Sequence, residues 1–258
     1  VERGLAETRE KARRIILAGR IIIRGIANPK PGIKVPADAD ISLKSPPEPY
    51  VGRGGVKLAA ALERFHVDPS GLVCLDVGAS TGGFTDCLLQ KGAARVYAVD
   101  VGYGQMHEKI RSDPRVIVRE RVNARFIGPD IIPESVHLCV MDVSFISILL
   151  ILPALIPLLA KDGAVVTLVK PQFEAGRSQV PRGGVIRDVK VHSVVLETLV
   201  SALTGKGWTV QGLMPSPIKG ASGNREFFAF LKRADAQDIE ASRIQIPDVI
   251  REFVEPAP

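Results

Sequence analysis

A glycine-rich segment at residues 75–86, L-D-V-G-A-S-T-G-G-F-T-D, has residue types that suggest ligand chemistry. An acid ends an apolar strand there, and glycines open the next helix, whose N–H groups and dipole attract anions. The glycines match neither the dinucleotide pattern G-x-G-x-x-G nor the triphosphate pattern G-x-x-x-x-G-K-[ST], which makes phosphate-rich ligands less favoured. The segment instead favours a cofactor with a carboxylate and an adenosine. The candidate contacts are Asp76, Gly78, Ala79, Ser80, Thr81, Gly82, Gly83 and Phe84.

Two further polar residues follow the next predicted strands. Asp100 ends the second strand, where an acid in Rossmann-like proteins accepts hydrogen bonds from ribose hydroxyls. By itself it could equally be a surface acid that caps the strand, but the glycine turn upstream favours ribose binding. Asn123, after the third strand, is a weaker candidate for a contact to adenine, because many loops contain an asparagine.

Two lysines and two acids, Lys57, Asp142, Lys170 and Glu226, form a second set of candidates. Asp142 and Lys170 end successive strands and Glu226 begins the last one, so all three belong to the sheet edge where doubly wound folds bind ligands. Any one of the four could be an ordinary ion pair at that edge. Their joint occurrence predicts a reaction site, with Asp142 also near the cofactor.

This set suits the activation of a hydroxyl. A ribose 2'-hydroxyl is a poor nucleophile until it is hydrogen-bonded or deprotonated in line with an electrophilic methyl group. A lysine acts as the base only if desolvation or a neighbouring cation lowers its pKa, and flanking acids can orient it. We expect most of the acceleration to come from alignment of the reacting groups.

Alternating strands and helices must position these residues, and they predict a doubly wound α/β sheet. Strands are predicted at residues 72–77, 95–101, 116–119, 136–143, 164–169, 208–213 and 226–231. Helices are predicted from the glycine turn through Leu88, at 147–159 and at 189–203, with a short one near 249–253.

Three prolines at residues 46–49 separate this region from a smaller, basic one. Thr8 can cap a helix that stops at Gly19, and a strand over 20–24 follows. The predicted domains are residues 1–45, a linker at 46–51, a catalytic domain at 52–233 and a tail at 234–258. No role is assigned to the tail.

The run T-R-E-K-A-R-R-I-I-L-A-G-R-I-I-I-R-G at 8–25, followed by K-P-G-I-K-V-P-A-D-A-D-I, resembles the S4 RNA-binding module. The resemblance implies a small α+β RNA-binding domain, which we expect to be truncated at its start. The charge cluster alone favours a solvated helix face. The predicted RNA contacts are Arg9, Lys11, Arg13, Arg14, Arg20, Arg53, Arg177 and Arg182. The last two flank a glycine-rich loop that could equally be solvated.

Several motifs in order resemble the TlyA family of hemolysin A-like proteins, which belong with the FtsJ-like 2'-O-methyltransferases. They are R-G-G-V-K-L (53–58), the glycine segment, V-Y-A-V-D-V-G-Y-G-Q (96–105), M-D-V-S-F-I-S (141–147), L-V-K-P-Q-F-E-A-G-R (168–177) and G-N-R-E-F-F (223–228). The resemblance implies a Rossmann-like class I methyltransferase that uses S-adenosylmethionine. It also implies a K-D-K-E tetrad of Lys57, Asp142, Lys170 and Glu226, with Lys170 as the base. The implied substrate is ribosomal RNA, at cytidine 2'-hydroxyls of 16S or 23S RNA in the ribosomal subunits.

Composition limits the other possibilities. The formal charge of +6 suits a polyanionic partner. The three cysteines and four histidines lack metal-ligand spacing, so no metal is predicted. The longest apolar stretch, 148–160, is too short to span a bilayer. The chain shows no signal-peptide pattern, so we expect a cytoplasmic protein.

Three alternatives remain. A membrane-active hemolysin would need an insertion segment, and none is evident. A non-catalytic RNA-binding protein on the same scaffold is opposed by the complete tetrad. A base methyltransferase would usually show N/D-P-P-Y/F or a catalytic cysteine where this chain reads M-D-V-S-F.

Overall fold

The computed structural model divides the chain into two compact units, Val1–Pro49 and Tyr50–Pro258. It describes residues 1–6, 8–44, 49–176, 179–234 and 246–254. Part of the predicted linker, residues 46–48, lies outside these ranges, and Tyr50 and Val51 belong to the second unit.

The first unit contains one helix and a two-stranded antiparallel sheet. Helix α1 (Arg9–Leu17) begins where the Thr8 side chain accepts a hydrogen bond from the Lys11 amide, as predicted. Strands β1 (Ile21–Ile23) and β2 (Ile41–Leu43) pair with each other. The strand predicted at 20–24 is therefore present but shorter.

The second unit is built on a seven-stranded sheet. Its strands are β3 (Val73–Val77), β4 (Arg95–Val99), β5 (Val116–Arg119), β6 (Val136–Met141), β7 (Leu159–Val169), β8 (Trp208–Pro215) and β9 (Phe227–Arg233). The order is β5-β4-β3-β6-β7-β9-β8, and only β9 runs antiparallel to its neighbours. The predicted α/β class, a doubly wound and mostly parallel sheet with one antiparallel strand, is confirmed.

Helices of the described residues connect these strands. They are α2 (Arg53–Arg64), α3 (Gly83–Gln90), α4 (Glu108–Arg111), α5 (Leu152–Leu155), α6 (Pro171–Glu174), α7 (Val189–Thr204) and α8 (Ile246–Val254), with 3-10 turns at Ala124–Phe126 and Ile148–Leu150. Successive strand residues enter opposite apolar layers: Leu75 and Val77 join one cluster and Cys74 the other. The sheet is thus buried on both faces, as its parallel strands require.

The predicted helix at 147–159 is wrong. The chain there forms the 3-10 turn and the four-residue α5, and strand β7 already starts at Leu159. Pro153 is tolerated in the first turn of α5, but Pro157 lacks an amide donor and would clash within a longer helix. Leu159 pairs with Val136 before a register shift, which explains why the strand begins earlier than the predicted residue 164.

Two helices have a structural role that the sequence did not indicate. Helix α2 was not predicted and carries Lys57. Helix α8 is longer than the segment predicted at 249–253, and its Ile246 and Val249 are buried in the core of the second unit. This part of the predicted tail therefore completes the packing around the sheet.

Candidate active site

The four predicted reaction residues lie around one cavity of about 460 Å³ at the carboxyl edge of the parallel strands. Asp142 follows β6, Lys170 follows β7, and Glu226 precedes the antiparallel β9, so each reaches the same edge. Lys57 arrives from the first turns of α2. The cavity is also lined by Arg53, Gly54, Gly78, Ala79, Ser80, Thr81, Gly83, Phe84, Ser144, Phe145, Gln172, Phe173, Gly220, Ala221, Ser222 and Asn224.

The four residues form two lysine–carboxylate pairs. Lys57 Nζ donates to Glu226 Oε2 at 2.5 Å, and both side chains are almost fully buried. Lys170 Nζ lies 2.6 Å from Asp142 Oδ1 and donates to Ser144 Oγ at 2.8 Å. The second pair is more exposed, which leaves it accessible to a ligand in the cavity.

The glycine segment forms one wall of the same cavity. Gly78 follows β3 with a φ of 86°, in the left-handed region that favours glycine. A Cβ at this position would lie 2.3 Å from the backbone oxygen of Asp142. Gly82, also left-handed, caps the start of α3 without a side chain. The close approach between the Gly78 turn and the backbone at Asp142 therefore depends on the absence of a Cβ at residue 78.

Asp76 is a fully buried carboxylate at the end of β3. Its Oδ2 accepts a 2.6 Å hydrogen bond from Thr85 Oγ1, whereas Oδ1 has no hydrogen-bond partner among the described residues. Burial raises the pKa of Asp76 to about 7; the Thr85 hydrogen bond lowers it, and the charge of Asp142 raises it further. An orphaned buried acceptor of this kind fits a ligand that supplies a donor or a positive charge.

Four cofactor candidates, Asp76, Gly82, Asp100 and Asn123, lie outside the cavity lining. Asp100 accepts hydrogen bonds from the amides of Ser80 at 2.7 Å and Gly102 at 2.6 Å, and so connects the glycine segment to the loop after β4. Asn123 is exposed and caps the 3-10 turn by accepting from the Arg125 amide. The predicted ribose and adenine contacts of Asp100 and Asn123 stay predictions.

Comparison with known proteins places this fold and cavity in a family. Residues 50–233 match the FtsJ-like methyltransferase family. The chain belongs to this family. A Bacillus subtilis protein named as a candidate rRNA methyltransferase, YqxC, is 49% identical over 90% of this chain and 83% of its own. The 16S/23S rRNA (cytidine-2'-O)-methyltransferase TlyA of Mycobacterium tuberculosis is 42% identical over 95% of this chain and 92% of its own.

A solved structure supports the same relationship. It is described as a candidate hemolysin from Streptococcus thermophilus, is 43% identical and has a TM-score of 0.78. The match covers 97% of this chain and 92% of that chain. The predicted resemblance to TlyA and hemolysin A-like proteins is thus confirmed.

The cavity of this FtsJ-like methyltransferase contains other residues for which no role was predicted. Phe145 has a φ of 64° and is 91% exposed, and its ring lies 5.0 Å from that of Phe173. Gln172 has a buried Oε1 with no partner within the described ranges. These residues stood within the motifs M-D-V-S-F and K-P-Q-F, but a phenylalanine is usually buried, so no local signal marked Phe145 as exposed.

Asn224 connects the cavity to the glycine-rich loop that precedes α7. Its side chain accepts from the Ile186 amide at 3.0 Å and donates to the Gly184 oxygen at 2.9 Å. Nearby, Arg53 donates to the Lys219 oxygen at 2.8 Å. The loop end beside the cavity is therefore anchored, whereas Arg177 lies outside the described residues.

The remaining RNA candidates of the methyltransferase occupy different environments. Arg9, Arg13, Arg14, Arg53 and Arg182 are exposed, while Lys11 and Arg20 are half-buried. Their contact with RNA stays a prediction. Within the described residues, no cluster of three or more metal-ligating side chains occurs, and no helix there has the length and apolarity to cross a membrane.

Proposed function

We propose that this methyltransferase transfers the methyl group of S-adenosylmethionine to a ribose 2'-hydroxyl of ribosomal RNA, with cytidine as the target. The observation that carries the proposal is the meeting of two lysine–carboxylate pairs with the glycine segment around one cavity. The names of the relatives support rRNA as the substrate, at 16S or 23S cytidines.

The residues present fit this cofactor. The Gly78 turn leaves room for a close backbone approach, and the unpartnered Asp76 Oδ1 suits a cationic methionine group. Asp100 would hold the ribose hydroxyls, because each carboxylate oxygen keeps a free lone pair beside its amide donor. When bound, the cofactor supplies an electrophilic methyl group and its own leaving group.

Of the two pairs, Lys170–Asp142 is the better placed to act on the RNA hydroxyl. Lys170 would accept the proton of the 2'-hydroxyl, while Asp142 and Ser144 orient its amine. Lys57, neutralised by Glu226, would hold the wall of the cavity and its charge distribution. Exact alignment of oxygen and methyl group would supply most of the rate.

The mouth of the cavity offers a surface for a nucleotide. The exposed ring of Phe145, paired with Phe173, can stack on a base. Gln172 lines the cavity beside this ring pair. The exposed arginines of α1 would add sequence-independent contacts to phosphates, in agreement with the resemblance to an S4 module.

The test is transfer of labelled methyl from S-adenosylmethionine to ribosomal subunits that lack the modification, with the label mapped by resistance to alkaline cleavage. Lys170→Ala is expected to reduce transfer by at least about 10³-fold, the scale of a lost acid–base group together with lost alignment. Lys161→Ala, an exposed lysine on β7 remote from the cavity lining, is the matched control.

The outcomes separate the candidate functions. Label at a 2'-oxygen that disappears in Lys170→Ala supports the proposal. Absence of transfer by wild-type protein that binds both cofactor and RNA would contradict it, and would leave a non-catalytic RNA-binding protein as the better interpretation. Label on a base would indicate a base methyltransferase, and lysis of vesicles without transfer would favour a hemolysin.

A further inference from the structure

Phe145 holds a conformation that its own side chain does not stabilise. A left-handed φ is unfavourable for a bulky residue and persists only where surrounding contacts impose it. Since the ring is 91% exposed, packing in the core cannot supply these contacts. Other residues must hold the loop at residues 144–148, which we call the 144–148 loop.

Three contacts join the 144–148 loop to the turn that follows β7. Lys170 Nζ donates to Ser144 Oγ, and the rings of Phe145 and Phe173 are adjacent. The third contact is made by Glu174, at the end of α6. Its Oε2 accepts from Ser147 Oγ at 2.6 Å, and its Oε1 accepts from the Ile148 amide at 2.9 Å.

Unlike Lys170, Ser144, Phe145 and Phe173, Glu174 does not line the cavity, and neither do its partners Ser147 and Ile148. Burial raises the pKa of its carboxyl, whereas the hydrogen bonds from Ser147 and Ile148 lower it. A buried carboxyl with both oxygens engaged fixes two points of the loop at once. Because Glu174 does not line the cavity, any effect on the reaction would be indirect.

We propose that Glu174 is a positioning residue: its carboxyl fastens the 144–148 loop to the turn after Lys170 and so presents Phe145 to the RNA nucleotide. The role in RNA binding rests on the proposed function. The fastening itself does not, because it can be measured without any reaction.

The kinetic test compares Glu174→Ala and Glu174→Gln with wild type. Glu174→Ala is expected to raise KM for ribosomal subunits about fivefold, which is part of the stacking energy of one base, with cofactor affinity within about twofold. Glu174→Gln should stay near wild type, because its amide oxygen can accept from Ile148 and its NH₂ can donate to Ser147.

Glu134→Ala is the matched control. Glu134 also has two side-chain donors, Tyr97 at 2.7 Å and Arg95 at 2.6 Å, but it lies near the opposite, amino edge of the sheet. The Glu134→Ala variant should have a lower Tm than wild type but an unchanged KM for the RNA. A rise in KM that follows the loss of Tm equally in Glu134→Ala and Glu174→Ala would overturn the proposal.

A double-mutant cycle tests whether Glu174 acts through Phe145. Adding Glu174→Ala to Phe145→Ala should raise KM little beyond the single Phe145→Ala variant, since residues that act as one unit are not additive. Fully additive effects would contradict the positioning role.

Hydrogen exchange separates this proposal from the proposed function. Amides of residues 144–148 should exchange faster in Glu174→Ala than in wild type or Glu174→Gln. If wild type transfers no methyl yet this difference appears, the proposed function fails and the fastening role stands. Unchanged exchange in Glu174→Ala overturns the fastening role whatever the activity.

Discussion

The two lysine–carboxylate pairs of the cavity differ in burial, and most of the difference lies in their acids. The side chains of Lys57 and Glu226 are 8% and 4% exposed, whereas those of Lys170 and Asp142 are 11% and 24% exposed. Glu226 accepts from Lys57 as a closed pair between α2 and the start of β9. Asp142 and Lys170 instead share their environment with the polar Ser144 at the accessible side.

This difference in burial suggests different roles for the two pairs. A buried ion pair is costly to break, because the remaining charge has no water to replace its partner. A partly exposed pair can be solvated and can exchange its partner for a ligand. We therefore expect the Lys57 pair to hold the two elements together and the Lys170 pair to perform the chemistry.

The largest effect should come from breaking the buried pair. Lys57→Met leaves the Glu226 carboxylate buried and unpaired, and should lower the free energy of unfolding by about 3–5 kcal/mol in urea denaturation. Lys170→Met should cost less than Lys57→Met, since the Asp142 side chain is 24% exposed and that of Glu226 only 4%. The double variant Lys57→Met/Glu226→Met should recover most of the lost stability, but not methyl transfer.

Equal losses of stability in Lys57→Met and Lys170→Met would remove the distinction between the two pairs. Failure of the double variant to recover stability would show that Glu226 is not the residue left uncompensated. Both results come from the same denaturation curves.

The sequence could predict Asp142, Lys170 and Glu226 because their positions follow from strand order. Asp142 and Lys170 each end a short apolar strand, and carboxyl ends of parallel strands meet at one edge. The burial of Lys57 could not be predicted in the same way. It depends on α2, whose opening R-G-G lacks the usual helix start signals.

The contacts made by Glu174 were also beyond local sequence patterns. They join residues of different elements, 147 with 174, and one of those elements was assigned wrongly as part of a helix. An apolar run with prolines does not distinguish a helix from turns and a strand by periodicity alone. The exposed Phe145 contradicts the usual burial of its type, so only the fold reveals it.

A second buried carboxyl, that of Asp76, should make cofactor binding depend on pH. With the pKa of Asp76 raised to about 7, its carboxylate is neutral at low pH and ionised at high pH. Affinity for the cationic S-adenosylmethionine should therefore rise about thirtyfold between pH 5.5 and pH 8.5, measured by calorimetry. Asp76→Asn should bind weakly and without this dependence.

The same carboxyl should also make stability depend on pH. A pKa raised above its unfolded value means that the folded state keeps a proton longer, so this group's contribution to stability falls as the pH rises from about 4 to about 7. In the absence of ligand, Asp76→Asn should be more stable than wild type at pH 8 and lose this advantage toward pH 4. A constant difference across this range would contradict the role of Asp76.

The smallest effect is expected at the mouth, where Phe145 should behave in the opposite way to Lys57. Phe145→Ala removes an exposed ring and should change the free energy of unfolding by less than about 0.5 kcal/mol. It should raise KM for ribosomal subunits about tenfold through the loss of stacking, whereas Phe145→Trp keeps an aromatic face and should stay near wild type. A large loss of stability with unchanged KM would mean that Phe145 supports the loop and does not contact RNA.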